Sequence, residues 1–171
     1  KLYQLTQWLP IFENRQDFTT IVVVRNIESY QELVDSTQLQ VLFVPRYEDL
    51  MALYDRANFH AVVYVNNGWT NFQSLAFQQA VHIHVNHGES DKISMVSNQA
   101  KAYDKVFVAG QAAIDRHAAA IAWFDHTHLV PVGRPQLDLV VPHPVPPTTL
   151  RTITYAPTWE GDRPAATYGS V

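Results

Sequence analysis

The chain has no cysteine, no long apolar run and little charge of either sign. Without cysteine there is neither a disulfide framework nor a thiolate metal centre, and the compartment stays open because many reduced-compartment proteins also lack it. No segment approaches the roughly 18 consecutive apolar residues that suggest a membrane span. Asp, Glu, Lys and Arg make up 16% of the 171 residues and leave a formal net charge of -4, so nothing draws the chain as a whole toward nucleic acid or an anionic bilayer. KLYQLTQWLPIF lacks the basic region and unbroken apolar stretch of a signal peptide. An initiator Met is also missing, and with an amphipathic helix beginning at once we expect residues to precede Lys1.

What is present, 47% hydrophobic residues, is a globular composition with enough chain for one substantial core, or for one domain and a fragment of a second. Leu2, Leu5, Leu9 and Phe12 recur at spacings of three or four, which predicts a helix over Leu2 to Phe12 with Pro10 near its end. TTIVVVRN is a continuous β-branched run, the pattern of a strand buried on both faces of a parallel sheet. Then come a helix over Ser29 to Val34, the strand LQVLFVP, and a helix over Tyr47 to Ala57 with Leu50, Leu53 and Tyr54 inward. AVVYVNN reads as a strand ending in the turn Asn66-Asn67-Gly68, Phe72 to Gln79 as a short helix and VHIHVN as the next strand.

Past Gly88 a helix is expected over Asp91 to Tyr103 with acidic residues in its first turn, which suits the helix dipole. KVFVAG, a helix over Ala112 to Phe124 with Ile114, Ala118 and Ile121 on one stripe, and LVPVG complete the series. Strands alternating with helices predict a Rossmann-like α/β fold, an open, doubly wound parallel sheet of about six strands. VVPHPVPPTT then concentrates four of the ten prolines and reads as a linker. The expected organisation is a Rossmann-like domain over 1–139, a linker over 140–150, and over 151–171 the first strand and turn of another domain, beginning at RTITYAP.

The chemistry concentrates at VHIHVNHGESDK, where a strand empties into His87-Gly88 and an expected helix start. In α/β proteins the crevice outside the strand ends is open and lined by backbone N–H groups, so a histidine there is placed to act as a base. His82 and His84 share one strand face, with His87 at its end. H-I-H-V-N-H is similar to the HxHxDH run of metallo-β-lactamase-type hydrolases, but Asn86 replaces the aspartate, and a neutral amide is a poor ligand for a hard divalent ion. The plainer reading of His82 and His84 is a pair of hydrogen-bonded buried histidines. Asn66, Asn67 and Gly68 close a strand on the same side of the sheet, as a polar turn or as part of a binding crevice.

His87-Gly88-x-x-x-Lys92, then VGRPQLD at Val132 to Asp138, then TYAPTWEG at Thr154 to Gly161, in that order and spacing, resemble the CDP-glycerol glycerophosphotransferase family of teichoic-acid polymerases. The resemblance covers most of the chain and is strongest from Asn66 onward. It implies a GT-B architecture of two Rossmann-like domains, with this chain supplying the N-terminal acceptor side and the start of the donor-nucleotide domain. It further implies that His87 is the catalytic base and that CDP-glycerol and a lipid-linked glycerol-phosphate polymer are the partners. Gly88 would let the substrate phosphate approach the backbone closely, and Lys92 either supplies positive charge at the phosphoryl oxygens or is a solvated helix lysine. The place of action would be the cytoplasmic face of the membrane, peripherally, with no metal or organic cofactor. Asn66, Asn67 and Arg134 join the expected substrate-binding set, although Arg134 precedes Pro135 where the family's order is G-x-P-R-x-D, and a pairing with Asp138 is its plainer role. Glu160 stands where an arginine is frequent in the family. A glycosyltransferase of the same architecture, a metallo-hydrolase and a non-catalytic polymer-binding domain are the other classes open to this sequence.

Overall fold

The computed structural model describes residues 2–89, 96–142 and 153. The chain divides into two compact units, Lys1–Val140 and Val141–Val171. In the second only Val141, Pro142 and Ile153 are described, all exposed, so the strand expected at RTITYAP and the Thr154 to Gly161 motif lie outside the described residues.

In the first unit six strands alternate with helices and every pairing is parallel. β1 (Ile21–Val24) pairs with β2 (Gln40–Phe43), while β3 (Ala61–Tyr64), β4 (Val81–His84), β5 (Lys105–Val108) and β6 (Leu129–Pro131) lie side by side in that order. This is an α/β fold of parallel strands, consistent with a Rossmann-like arrangement. The single six-stranded sheet expected from the sequence is instead a two-stranded and a four-stranded ladder. Side chains bridge the two: Val23 of β1 and Val62 of β3 both pack on the cluster of Val44, Leu50, Tyr54 and Phe77. The β-branched run of β1 serves both of its faces, as a strand covered on two sides must. Val22 and Val24 pack with Leu9 and Leu33 on one face, while Val23 joins the Leu50 cluster on the other.

The helices depart from expectation where local chemistry cuts them short. Leu2 to Phe12 is two short helices, α1 (Tyr3–Thr6) and α2 (Leu9–Glu13). Pro10 lies in the first turn of α2, where its missing N–H costs nothing, rather than near the end of one longer helix. α3 (Ile27–Leu33) starts at Asn26, whose side chain accepts from the Ser29 N–H at 2.9 Å. α4 (Tyr47–Arg56) buries Leu50 and Tyr54, as its spacing predicts. The helix expected over Phe72 to Gln79 is a 3-10 turn at Trp69–Ala76. Of the one expected over Asp91 to Tyr103, residues 91–95 lie outside the described set, and the described part holds a 3-10 turn at Asn98–Ala102 before Tyr103 runs extended.

α5 (Gln111–Ala120) is shorter than the Ala112 to Phe124 expected, and its inward stripe is Ala113 and His117, continued by Ile121, while Ala118 is exposed. Burying a histidine here is feasible because its Nδ1–H donates to the Ala113 carbonyl at 2.8 Å, one turn back. Val106, Val108, Tyr103, Leu129 and Ile121 close the core under this helix.

Candidate functional site

Parallel strands deliver their carboxyl ends to one edge. There the loops after β3, β4, β5 and β6 carry Asn66-Asn67-Gly68, Asn86-His87-Gly88, Ala109-Gly110 and Gly133-Arg134. Asn86 adopts a left-handed conformation, φ 58°, which asparagine tolerates, and its Oδ1 accepts the His87 N–H at 2.8 Å. Gly88 follows at φ 145°, and a Cβ there would stand 3.2 Å from Arg134 Nη1. The turn thus presents the His87 ring and leaves room for the Arg134 guanidinium beside it.

A hydrogen-bond chain fixes the His87 tautomer. The Gly68 N–H donates to Asn66 Oδ1 at 2.8 Å, so Asn66 must present its Nδ2 to Gln4, 2.9 Å away. That contact makes the Gln4 atom an acceptor, Oε1, and turns Gln4 Nε2 toward His87 Nε2 at 3.1 Å. His87 Nε2 must therefore accept. Independently, His87 Nδ1 lies 3.2 Å from the Val65 carbonyl, which can only accept, so the ring proton is on Nδ1. Both routes place the basic lone pair on Nε2.

The amino-terminal segment lies across this turn, which no local sequence pattern announces. Gln7 Nε2 donates to the His87 carbonyl at 2.6 Å, Trp8 Nε1 donates to the Asn86 carbonyl at 2.5 Å, and the Tyr3 ring meets the His87 ring edge-on at 6.2 Å between centroids. Arg134 Nη2 donates to Gln7 Oε1 at 2.8 Å; among the described residues it forms no ion pair, so the pairing with Asp138 is not seen. His87, Gly88, Asn66 and Arg134 are thus brought together through Gln4 and Gln7. Asn67 faces elsewhere, its Oδ1 accepting from the Tyr103 hydroxyl at 2.8 Å. Lys92 lies outside the described residues.

His82 and His84 are both buried on one face of β4, as strand alternation predicts. His82 has no nitrogen left for a ligand: Nε2 donates to the Phe77 carbonyl and Nδ1 accepts from the Tyr64 hydroxyl, each at 2.8 Å. Among the described residues no group of three or more His, Asp or Glu is placed to hold a metal ion. His84 stacks on Tyr103 with centroids 4.9 Å apart. Burial, reinforced by His87 and His117, pushes its imidazole down to about 4, so it stays neutral near pH 7. Its Nε2 has no partner among the described residues, and the His84 side chain helps line a cavity of about 20 Å³ shared with Asn67, Asn86, Glu89 and His117, room for about one water molecule. Burial also pushes the Tyr103 hydroxyl up to about 12.

Comparison of the chain with protein-family models, curated proteins and solved structures finds no match. The site therefore rests on its own geometry.

Besides Gln4, Gln7 and Trp8, sequence reasoning missed Glu89. Its Oε2 accepts the Ala109 N–H at 2.5 Å and its Oε1 pairs with Arg116 Nη2 at 3.1 Å, tying the turn after β4 to the end of β5 and to α5. The glutamines did carry a signal. Gln4 and Gln7 are spaced by three, opposite the leucines of a short amphipathic stretch, but their destination is 80 residues and more away.

Proposed function

We propose that this chain forms the acceptor side of a phosphoryl-transfer enzyme of the CDP-glycerol glycerophosphotransferase type, moving glycerol phosphate from CDP-glycerol to a polymer hydroxyl in the synthesis of teichoic acid or a related wall polymer. One observation carries the reading: a histidine at the carboxyl edge of a parallel sheet, its Nδ1 side held by the Val65 carbonyl and its Nε2 lone pair met by the Gln4 carboxamide, with a guanidinium beside the same turn.

In this reading Nε2 of His87 takes the proton of the acceptor hydroxyl while Nδ1–H stays on the Val65 carbonyl and holds the ring in place. The freed oxygen bonds to the β-phosphorus of CDP-glycerol, the bond from that phosphorus to the bridging oxygen breaks, and CMP leaves with the electron pair. Such transfer asks for a base, in-line positioning and positive charge near the phosphoryl oxygens, and Arg134 beside Gly88 is suited to supply charge. The donor nucleotide belongs, in the same proposal, to a second domain of GT-B type. The acceptor would be lipid-linked and met at the cytoplasmic membrane surface. Among the described residues no helix is long and apolar enough to cross a membrane.

The test uses the polypeptide carrying the donor domain, wild type and His87→Ala, with radiolabelled CDP-glycerol and a glycerol-phosphate-primed acceptor. CMP release together with polymer label is expected from the wild type and a loss of roughly 100- to 10,000-fold from the variant. Undiminished transfer in the variant removes His87 as base. Transfer from a nucleotide sugar alone would make the protein a glycosyltransferase, and binding without turnover a polymer-binding domain.

A further inference from the structure

The lone pair on His87 Nε2 is already spent. Gln4 Nε2 donates to it at 3.1 Å while Gln4 Oε1 accepts from Asn66 Nδ2 at 2.9 Å. One lone pair accepts one good hydrogen bond, so Gln4 and a substrate hydroxyl exclude each other there. We propose that the Gln4 carboxamide is a displaceable stand-in for the acceptor, and that the subsite it fills takes a vicinal diol.

The chemical class follows from the two partners. The carboxamide offers, from a single carbon, a donor to His87 and an acceptor to Asn66. A vicinal diol supplies the same donor and acceptor from two adjacent carbons, one hydroxyl donating to Nε2 and its neighbour accepting from Asn66 Nδ2. A lone hydroxyl would leave the Asn66 donor unmet and bind more weakly. Asn66 is held in readiness whether or not Gln4 is present, because its Oδ1 accepts from the Gly68 N–H and from Asn71 Nδ2 at 3.0 Å.

The displacement is a side-chain movement. Leu2 and Leu5 pack with Leu9 on the Leu33 cluster, and Trp8 and Gln7 are bonded to the carbonyls of Asn86 and His87, so the backbone around Gln4 is anchored. The Gln4 side chain is only partly buried, and Tyr3 beside it is 59% exposed, which leaves it a route outward. His87 keeps its orientation throughout through Val65.

This inference rests on His87 acting on a polyol acceptor, but its test needs no nucleotide donor. Carbethoxylation by diethyl pyrocarbonate, which consumes a free imidazole lone pair, is followed at His87 by peptide mass spectrometry in the folded 171-residue chain. Gln4→Ala is expected to label about fivefold faster than wild type, the factor that one net hydrogen bond represents. Glycerol should then protect Gln4→Ala, 1,3-propanediol should not, and adding Asn66→Ala should abolish the protection. Equal or slower labelling of Gln4→Ala overturns the proposal, the slower result making Gln4 a residue that merely orients the ring. Protection by both diols overturns the vicinal-diol subsite.

If Gln4→Ala fails to fold, long-range 1H–15N spectra of the wild type serve instead. A shift of the His87 Nε2 resonance on titration with glycerol but not 1,3-propanediol supports the proposal, and no shift overturns it. Faster labelling with diol protection but no transfer from CDP-glycerol would leave this subsite standing and remove the proposed reaction. Transfer with unchanged labelling would do the reverse.

Discussion

His84 and His87 lie three residues apart and meet opposite fates. His87 is partly exposed at the turn with both ring nitrogens engaged, whereas His84 is buried against Tyr103 with its Nε2 unpartnered among the described residues. Because the folded value of His84 is lowered from 6.5 to about 4, the unfolded chain takes up a proton between those pH values that the folded chain refuses. Stability from this residue is therefore complete above about pH 6.5 and falls as the pH drops toward 4, by up to about 3 kcal/mol. His84→Phe keeps the ring stack and removes the titration. Urea denaturation at pH 7 and pH 4.5 should show a smaller acid loss in that variant than in wild type, and an equal loss would refute the assignment. The alternation of His82 and His84 was legible because a strand's period of two is local. Which nitrogens were satisfied was not, since the partners Phe77, Tyr64 and Tyr103 are set by packing.

At the scale of elements, caps and breakers decided the lengths. α3 begins at Asn26 because that side chain satisfies the Ser29 N–H, and Asn26→Ala is expected to cost about 1 kcal/mol, read as a lowered denaturation midpoint with an unchanged m value. The strand cores were visible as apolar or alternating runs, and all six appear where the sequence put them. Helix extents were less so. Apolar spacing ran through Pro10 into one helix, yet Pro10 suits the first turn of a second. In α5 spacing alone named Ala118 as inward, but the bond from the His117 ring Nδ1–H to the Ala113 carbonyl made a polar residue fit for burial.

For the whole first unit, cohesion between the two ladders comes from side chains. Val23 and Val62 converge on Leu50, which is 2% exposed, and on Tyr54 and Phe77, whose rings stack at 4.7 Å. Leu50→Ala should destabilise the unit by roughly 2–5 kcal/mol. If both ladders depend on this cluster, far-UV circular dichroism and Trp fluorescence will lose signal in one coincident transition. Separate transitions would show that the ladders fold independently.

The sequence by itself determined the α/β alternation, the parallel strands and the His87-Gly88 turn, because periodicity, β-branching and turn chemistry are properties of neighbours along the chain. Only the tertiary structure decided what faces that turn. Gln4, Gln7 and Trp8 reach it across about 80 residues, and Arg134 arrives from the loop after β6. Such meetings depend on how strands line up at one sheet edge and on which core face anchors the amino-terminal leucines, and neither is written in any local window. The direction of the His87 lone pair belongs to the same class, fixed by a relay from Gly68 through Asn66 and Gln4 that exists only once the chain has folded.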